Sequence, residues 1–190
     1  MKLLYINACV RKDSRTKKLA DYLVKKLEAN VEQVNLIDCN LSALTAKDIE
    51  QRNRFISAQK YDEPLFALAR QFASADVLVF AAPYWDLSFP ALLKLYVEHV
   101  NVVPIVFQYS DQGKVISNCK AKKLFYVTTK GGFGSDEYGY GYLKALSETL
   151  YGISETYLIK AEGLDIQGND AEEIIHQTQE KINLLLADVS

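Results

Sequence analysis

Three short stretches of this chain collect residue types that can do chemistry. In the first, Ser14 and Thr16 supply hydroxyls and Arg11 and Arg15 supply cations, just ahead of an apolar helical stripe. The first amides of a helix lack acceptors and sit at the positive end of its dipole. Hydroxyls, guanidinium groups and free N–H groups together suit a phosphate dianion. Taken alone, however, the loop reads first as a helix capped by Ser14 with its cations in water. The second stretch, Pro83-Tyr84-Trp85-Asp86-Leu87-Ser88-Phe89, offers a flat apolar surface for a planar ring. Aromatic residues there serve as well for a plug beneath a sheet, and for Phe89 the two readings weigh the same. The third, Thr129-Lys130-Gly131-Gly132, has glycines through which backbone N–H groups can approach a ring carbonyl, with Lys130 favouring negative charge nearby. A bare Gly-Gly turn says little by itself.

Other catalytic arrangements find no support. Neither GxxxxGKS/T nor GxGxxG occurs, which removes the main sequence argument for a nucleotidase loop or a dinucleotide fold. His99 and His176 fall in separate helical patterns with no Ser or Cys motif near either, and read as structural or surface residues. Cys9, Cys39 and Cys119 are odd in number and lack metal-ligand or CxxC spacing, so they read as free thiols, with a packing role for Cys9. No catalytic side chain and no metal site is assigned.

The three stretches each follow a strand pattern. Lys2 to Ile6, Val77 to Ala81 and Leu124 to Thr128 are short apolar runs, as expected of strands buried on both faces of a parallel sheet. Pro83 ends the second of them, having no N–H for the ladder. Val31 to Leu36 and Glu155 to Ala161 complete five strands. Helices are expected after the first loop, through Leu19, Leu23 and Leu27; after the aromatic loop, with Pro90 in its first turn and Ser88 as a possible cap; from about Tyr142 to Leu150; and from about Asp170 to Ala187. Strands alternating with helices imply an α/β chain with a doubly wound parallel sheet. In the strand order 2-1-3-4-5 the three loops converge at the carboxyl ends of neighbouring strands, where such sheets bind ligands.

Two regions fit this scheme less simply. Between Leu36 and Val77 the chain is long for a crossover, with helix signals over Thr45 to Ser57 and Asp62 to Phe72, and it is expected to cover part of the sheet or the pocket. Val102 to Asn118 reads as irregular, with a turn at Asp111-Gln112-Gly113, and Ser135 to Gly141 as a flexible tyrosine- and glycine-rich rim.

Composition narrows the function. With 22 basic and 24 acidic residues the formal charge is −2, which disfavours nucleic acid as a partner. No apolar run is long enough to insert in a membrane, and no cleavable signal opens the chain, so a cytoplasmic location is expected. At 190 residues, positions 1–190 are expected to form a single domain.

In their order and spacing the loops resemble those of the flavodoxin-like NAD(P)H:quinone oxidoreductases and FMN-dependent azoreductases. The family's phosphate loop, S-Q-S-N-K/Q-L, corresponds to Ser14-Arg15-Thr16-Lys17-Lys18-Leu19, and its A-P-M-Y-N-F-x-x-P segment to Ala82 through Pro90. Its L-K-x-Y matches Leu93-Lys94-Leu95-Tyr96, and its T-S-R-G-G loop matches Thr128 through Gly132. The likeness extends from Leu3 to about Gly163. It implies a flavodoxin-like, doubly wound, five-stranded parallel sheet with helices on both faces, and FMN as cofactor. By position, Ser14, Arg15 and Thr16 would hold the FMN phosphate. Pro83, Tyr84, Trp85, Asp86 and Leu87 would line the flavin, largely through backbone groups, and Thr129, Lys130, Gly131 and Gly132 would bind its C2 carbonyl and ribityl region.

The resemblance also implies NADH or NADPH as electron donor, a quinone, azo compound or similar small molecule as acceptor, and ping-pong kinetics. A homodimer is implied as well, with Val102 to Tyr109 near the partner. Two residues depart from the family pattern. Ala8 stands where a phosphate-loop serine is common, leaving only backbone there, and Asp86 replaces an asparagine, placing a carboxylate near the flavin. The alternative function is an electron-transfer flavodoxin serving protein partners, a class that tends to be far more acidic than −2.

Overall fold

The computed structural model describes residues 1–189. In chain order its elements are β1 (Lys2–Asn7), α1 (Arg15–Lys26), β2 (Asn30–Asn35), α2 (Ala46–Ser57), α3 (Ala67–Ser74), β3 (Val77–Ala81), α4 (Ala91–Val100), β4 (Phe107–Tyr109), β5 (Val115–Ser117), β6 (Lys123–Thr129), α5 (Tyr142–Leu146), β7 (Glu155–Ala161) and α6 (Ala171–Val189). The main sheet is parallel and runs β2-β1-β3-β6-β7. With the small β4/β5 pair set aside, this is the expected order 2-1-3-4-5.

Why β3 is apolar throughout follows from its central place. Successive strand residues point to opposite faces. Leu78 and Phe80 join a core packed by α3 and α4, whereas Val77, Val79 and Ala81 join another packed by α1 and α6. Both faces are covered, so no position of β3 meets water. The same alternation in β1 sends Leu4 and Ile6 one way and Leu3 and Tyr5 the other.

The long segment between β2 and β3 covers the sheet and takes no part in lining the cleft described below. Phe66, Ala69 and Phe72 enter the core, and the Phe72 ring meets Tyr151 at 4.9 Å and Tyr96 at 6.4 Å, both edge-on. α2 buries none of its residues and begins with a reciprocal cap, in which Asp48 N donates to Thr45 Oγ1 at 3.3 Å and Thr45 N to Asp48 Oδ2 at 2.8 Å.

Three local expectations are corrected. The region from Val102 to Asn118 contains the antiparallel pair β4/β5, closed by the expected turn: Gly113 has φ +74 and donates to Ser110 O at 2.9 Å. Three-residue strands are too short for a period-2 pattern to stand out. The rim at Ser135 to Gly141 is helical from Glu137, because Gly139 is buried against Tyr126 and Tyr140 Oη donates to Thr156 O at 3.0 Å. Ser88 does not cap α4. Its hydroxyl donates to Tyr138 O at 2.6 Å, and Pro90 occupies the cap position.

Candidate active site

At the carboxyl end of the sheet the loops after β1, β3 and β6 close around a cleft of about 400 Å³, within the size range of small-molecule sites. Ser14, Arg15, Thr16, Pro83, Tyr84, Trp85, Thr129, Lys130 and Gly131 line it. Nine of the twelve residues singled out from sequence therefore meet in one place. Asp86 and Leu87 lie at the exposed tip of their turn, and Gly132 follows beyond the lining.

The loops are tied to one another by backbone and side chain. Ala8 N donates to Ala81 O at 2.8 Å, Ala82 N to Val127 O at 3.0 Å, and Tyr84 N to Thr129 O at 3.2 Å, so each loop leaves its strand in register with the next. Ala8 thus has its amide engaged within the sheet. Cys9 is buried beside it; burial pushes its thiol up, and its amide donates to Asn7 Oδ1 at 3.0 Å, which fits packing.

The start of α1 lines the cleft. Ser14 Oγ accepts from Lys17 N at 3.3 Å, which caps the helix and leaves the amides of Arg15 and Thr16 for a ligand. Ser14 is thus the helix cap that the sequence allowed. Thr16 is buried, and its hydroxyl shares a 2.6 Å hydrogen bond with that of Thr129. Arg15 reaches across the mouth, where Nη2 donates to Asp165 Oδ1 at 2.6 Å and Nη1 to Leu164 O at 3.2 Å. Among the described residues Arg11 and Lys18 make no ion pair, so these two cations at the cleft are unneutralised by a neighbour.

Tyr84 and Trp85 line the cleft as well. Residues 85 to 88 form a two-residue hairpin turn, with Ser88 N donating to Trp85 O at 2.8 Å and Trp85 N to Ser88 O at 3.0 Å. Its central residues, Asp86 and Leu87, have φ of +49 and +69, a left-handed pair that ordinarily calls for Asn or Gly. Leu87 is nevertheless leucine and 58% exposed. Strain of this kind clusters at functional sites. Phe89 turns from the cleft, tilts onto Tyr142 at 5.7 Å and packs on the core.

Sequence reasoning missed the fourth loop, after β7. Asp165 and Glu172 line the cleft. Its backbone also fastens the third loop: Gly163 N donates to Gly132 O and Asp165 N to Gly131 O, each at 2.9 Å. A Cβ on Gly131 would come within 2.4 Å of Asp165 Oδ2, so the glycine leaves room for that carboxylate. Gly132 faces open space, where a side chain meets nothing within 4 Å. The signal available was Gly163 and Gly168, both at positive φ, marking a tight loop after an edge strand.

Lys130 is the largest departure from expectation. Its ammonium is fully buried and points not toward a ring carbonyl but to Gly134 O at 2.7 Å, Asp136 Oδ1 at 2.6 Å and Glu162 Oε1 at 2.8 Å. A buried ammonium needs partners for all three donors, and the loop supplies them on that side. Lys160 takes the second oxygen of each carboxylate, at 2.6 and 3.0 Å, closing a ring of four alternating charges. Burial raises both carboxyls, but hydrogen bonds from the two lysines outweigh it and hold Asp136 and Glu162 below the ordinary range; Lys160 is raised by Asp136.

A cofactor with a phosphate tail and a planar head fits these features. The Arg15 and Thr16 amides with the Arg11 and Lys18 cations suit an anion, and Tyr84 and Trp85 offer aromatic surface to a planar ring in the same cleft. Among the described residues no cluster of His, Cys, Asp and Glu is fit for a metal.

The family model for the flavodoxin-like fold matches residues 1–186. The chain is 36% identical to an FMN-dependent NADH:quinone oxidoreductase 2 of Clostridium acetobutylicum and 33% identical to an FMN-dependent NADH:quinone oxidoreductase of Clostridium beijerinckii, with 95% of each chain covered in both. Among solved structures it superposes on an FMN-dependent NADH-azoreductase of Bacillus anthracis in complex with FMN, at a TM-score of 0.80 and 22% identity, over 99% of this chain and 98% of that one. That identity speaks to the fold alone.

Proposed function

Since the chain belongs to the flavodoxin-like family that includes the FMN-dependent NADH:quinone oxidoreductases, we propose that it is an oxidoreductase that binds FMN and carries electrons from NADH to a quinone, an azo compound or a similar small molecule. One observation carries the proposal: helix amides with unpaired cations and an aromatic pair line one cleft at the sheet's carboxyl edge. FMN held there would supply the redox chemistry, relaying the two electrons and one proton of a hydride from the nicotinamide to the acceptor, with the second proton of a reduced quinone coming from water. Ser14, the Arg15 and Thr16 amides and the Arg15 guanidinium hold the phosphate. Pro83, Tyr84 and Trp85 flank the ring, the backbone of Asp86 and Leu87 borders it, and Thr129, Lys130, Gly131 and Gly132 contribute main-chain groups. The chain's part is to bind, orient and exclude water, with no acid or base side chain required.

Two further statements belong to the same proposal. Residues 1–190 act as one FMN-binding domain in the cytoplasm; among the described residues no helix is long and apolar enough to cross a membrane. The protein forms a homodimer through the β4/β5 region, where Val103, Tyr109 and Ile116 are exposed apolar residues. Sedimentation that finds only monomer removes the dimer. The functional test is anaerobic. Purified protein reconstituted with FMN is bleached by NADH without any reductase and recovers its colour on adding a quinone. A protein that refuses FMN in a calorimeter, or needs a protein partner to be reduced, refutes the reading.

A further inference from the structure

The Lys130 ammonium lies 4.6 Å from the centroid of the Tyr84 ring, and Tyr84 lines the cleft. The same ammonium bonds Gly134 and Asp136 of the third loop and Glu162 of the fourth. One cation therefore joins the loops after β3, β6 and β7. The fit around Tyr84 is tight: a Cβ on Gly134 would meet Tyr84 Oη at 2.3 Å and Cζ at 2.8 Å, so the ring lies against bare backbone. The ring is not anchored by its hydroxyl, which has no partner, and what meets its π face is the ammonium. A desolvated ammonium on an aromatic face attracts more strongly than an exposed one.

We infer that Lys130 is a positioning residue, fixing the Tyr84 wall against which the cofactor packs. The inference rests on the FMN reading. The groups facing Lys130 are Tyr84, Gly134, Asp136 and Glu162, with Lys160 beyond the two carboxylates, and the four charged side chains sum to zero. The quartet therefore carries no net charge to attract a bound anion, and the Lys130 ammonium acts locally, on the Tyr84 face. Its action passes through Tyr84, which distinguishes it from a cation placed to bind an anion.

A double-substitution cycle tests this, with FMN affinity read from quenching of Trp85, the single tryptophan, which lines the cleft. Lys130→Met weakens FMN about tenfold, the weight of a desolvated cation–π contact. In a Tyr84→Leu background the same change costs less than about threefold, because the coupled pair is already broken. Equal losses in the two backgrounds overturn the inference. Lys130→Met alone strands two carboxylates on one lysine, so Lys130→Met with Glu162→Gln restores the charge balance and keeps the fold testable by urea unfolding. FMN remains about tenfold weaker in that double variant if Tyr84 needs the cation; recovery to wild-type affinity shows that charge balance alone mattered and ends the inference. Wild-type protein that takes no FMN refutes the functional proposal as well, whereas wild-type binding with unaffected variants removes only the role of Lys130.

Discussion

The hydroxyls of Thr16 and Thr129 lie 2.6 Å apart, joining the first turn of α1 to the last residue of β6. The sequence reading offered both residues as candidate cofactor contacts; in the fold they contact each other. Thr16 is buried, so its hydroxyl depends on this partner. Thr129→Val leaves it unpaired and destabilises the protein by about 1–3 kcal/mol. Thr16→Val with Thr129→Val removes both polar groups and recovers most of that loss. Urea midpoints of the two variants decide the matter; equal destabilisation by the single and the double substitution contradicts it.

Asp165 lines the cleft beside the proposed phosphate site, its carboxylate 2.6 Å from Arg15 Nη2. The pair is partly exposed, and such bridges contribute little to stability. Its effect on a bound dianion is another matter, since the carboxylate occupies part of the guanidinium's capacity and adds repulsion. Asp165→Asn is expected to leave the urea midpoint within the scatter of measurement and to tighten FMN by about threefold to fivefold at low salt, shrinking as ionic strength rises. Weaker binding in the variant shows that Asp165 presents Arg15 to the phosphate instead of competing with it.

The fold was legible because its signals are local and repeated. β3 announces itself as five buried apolar residues, and Pro83 marks where it stops. The convergence of three loops follows from the strand order 2-1-3-4-5, one of the orders open to a chain of alternating strands and helices, to which the resemblance pointed. What could not be read was the direction of side chains that choose between partners. Lys130 follows the strand as readily toward a ligand as toward Asp136 and Glu162, and only the third dimension reveals two carboxylates, one of them 32 positions away, waiting on the far side. Arg15 and Asp165 are separated by 150 positions, which no spacing rule connects.

The four-charge ring makes stability depend on pH at both ends. Asp136 and Glu162 have folded pKa values below their unfolded ones, so their contribution is complete above about pH 5 and vanishes as the pH falls through the depressed values. Lys160 is raised, so its contribution is complete below about pH 10 and is lost as the pH climbs through its folded value. Asp136→Asn is expected to lower the plateau between those limits and to flatten the acid limb. Wild type and variant then converge at low pH, where the carboxylate is protonated in any case. Urea unfolding from pH 3 to pH 9 measures this, and parallel curves with no convergence contradict it.

Leu87 holds a left-handed conformation at φ +69 beside Asp86 at φ +49, in a turn for which Asp-Gly is a preferred pair. A left-handed non-glycine residue costs about 1–2 kcal/mol, and glycine escapes that cost while adding freedom to the unfolded chain. Leu87→Gly is therefore expected to stabilise the protein by up to about 1 kcal/mol in urea. The turn keeps its two backbone hydrogen bonds, because nothing in the Trp85 to Ser88 pairing involves the leucine side chain. Leu87 stands two residues beyond Trp85 of the cleft, and its exposed side chain would meet an apolar acceptor arriving there. Leu87→Gly should accordingly raise KM for an apolar quinone several-fold while leaving FMN affinity near wild type, since in the proposed site this turn would border the flavin through its backbone. A variant that is more stable and equally good with every acceptor leaves the strain without a function; one that is less stable shows that the leucine packs where the fold needs it.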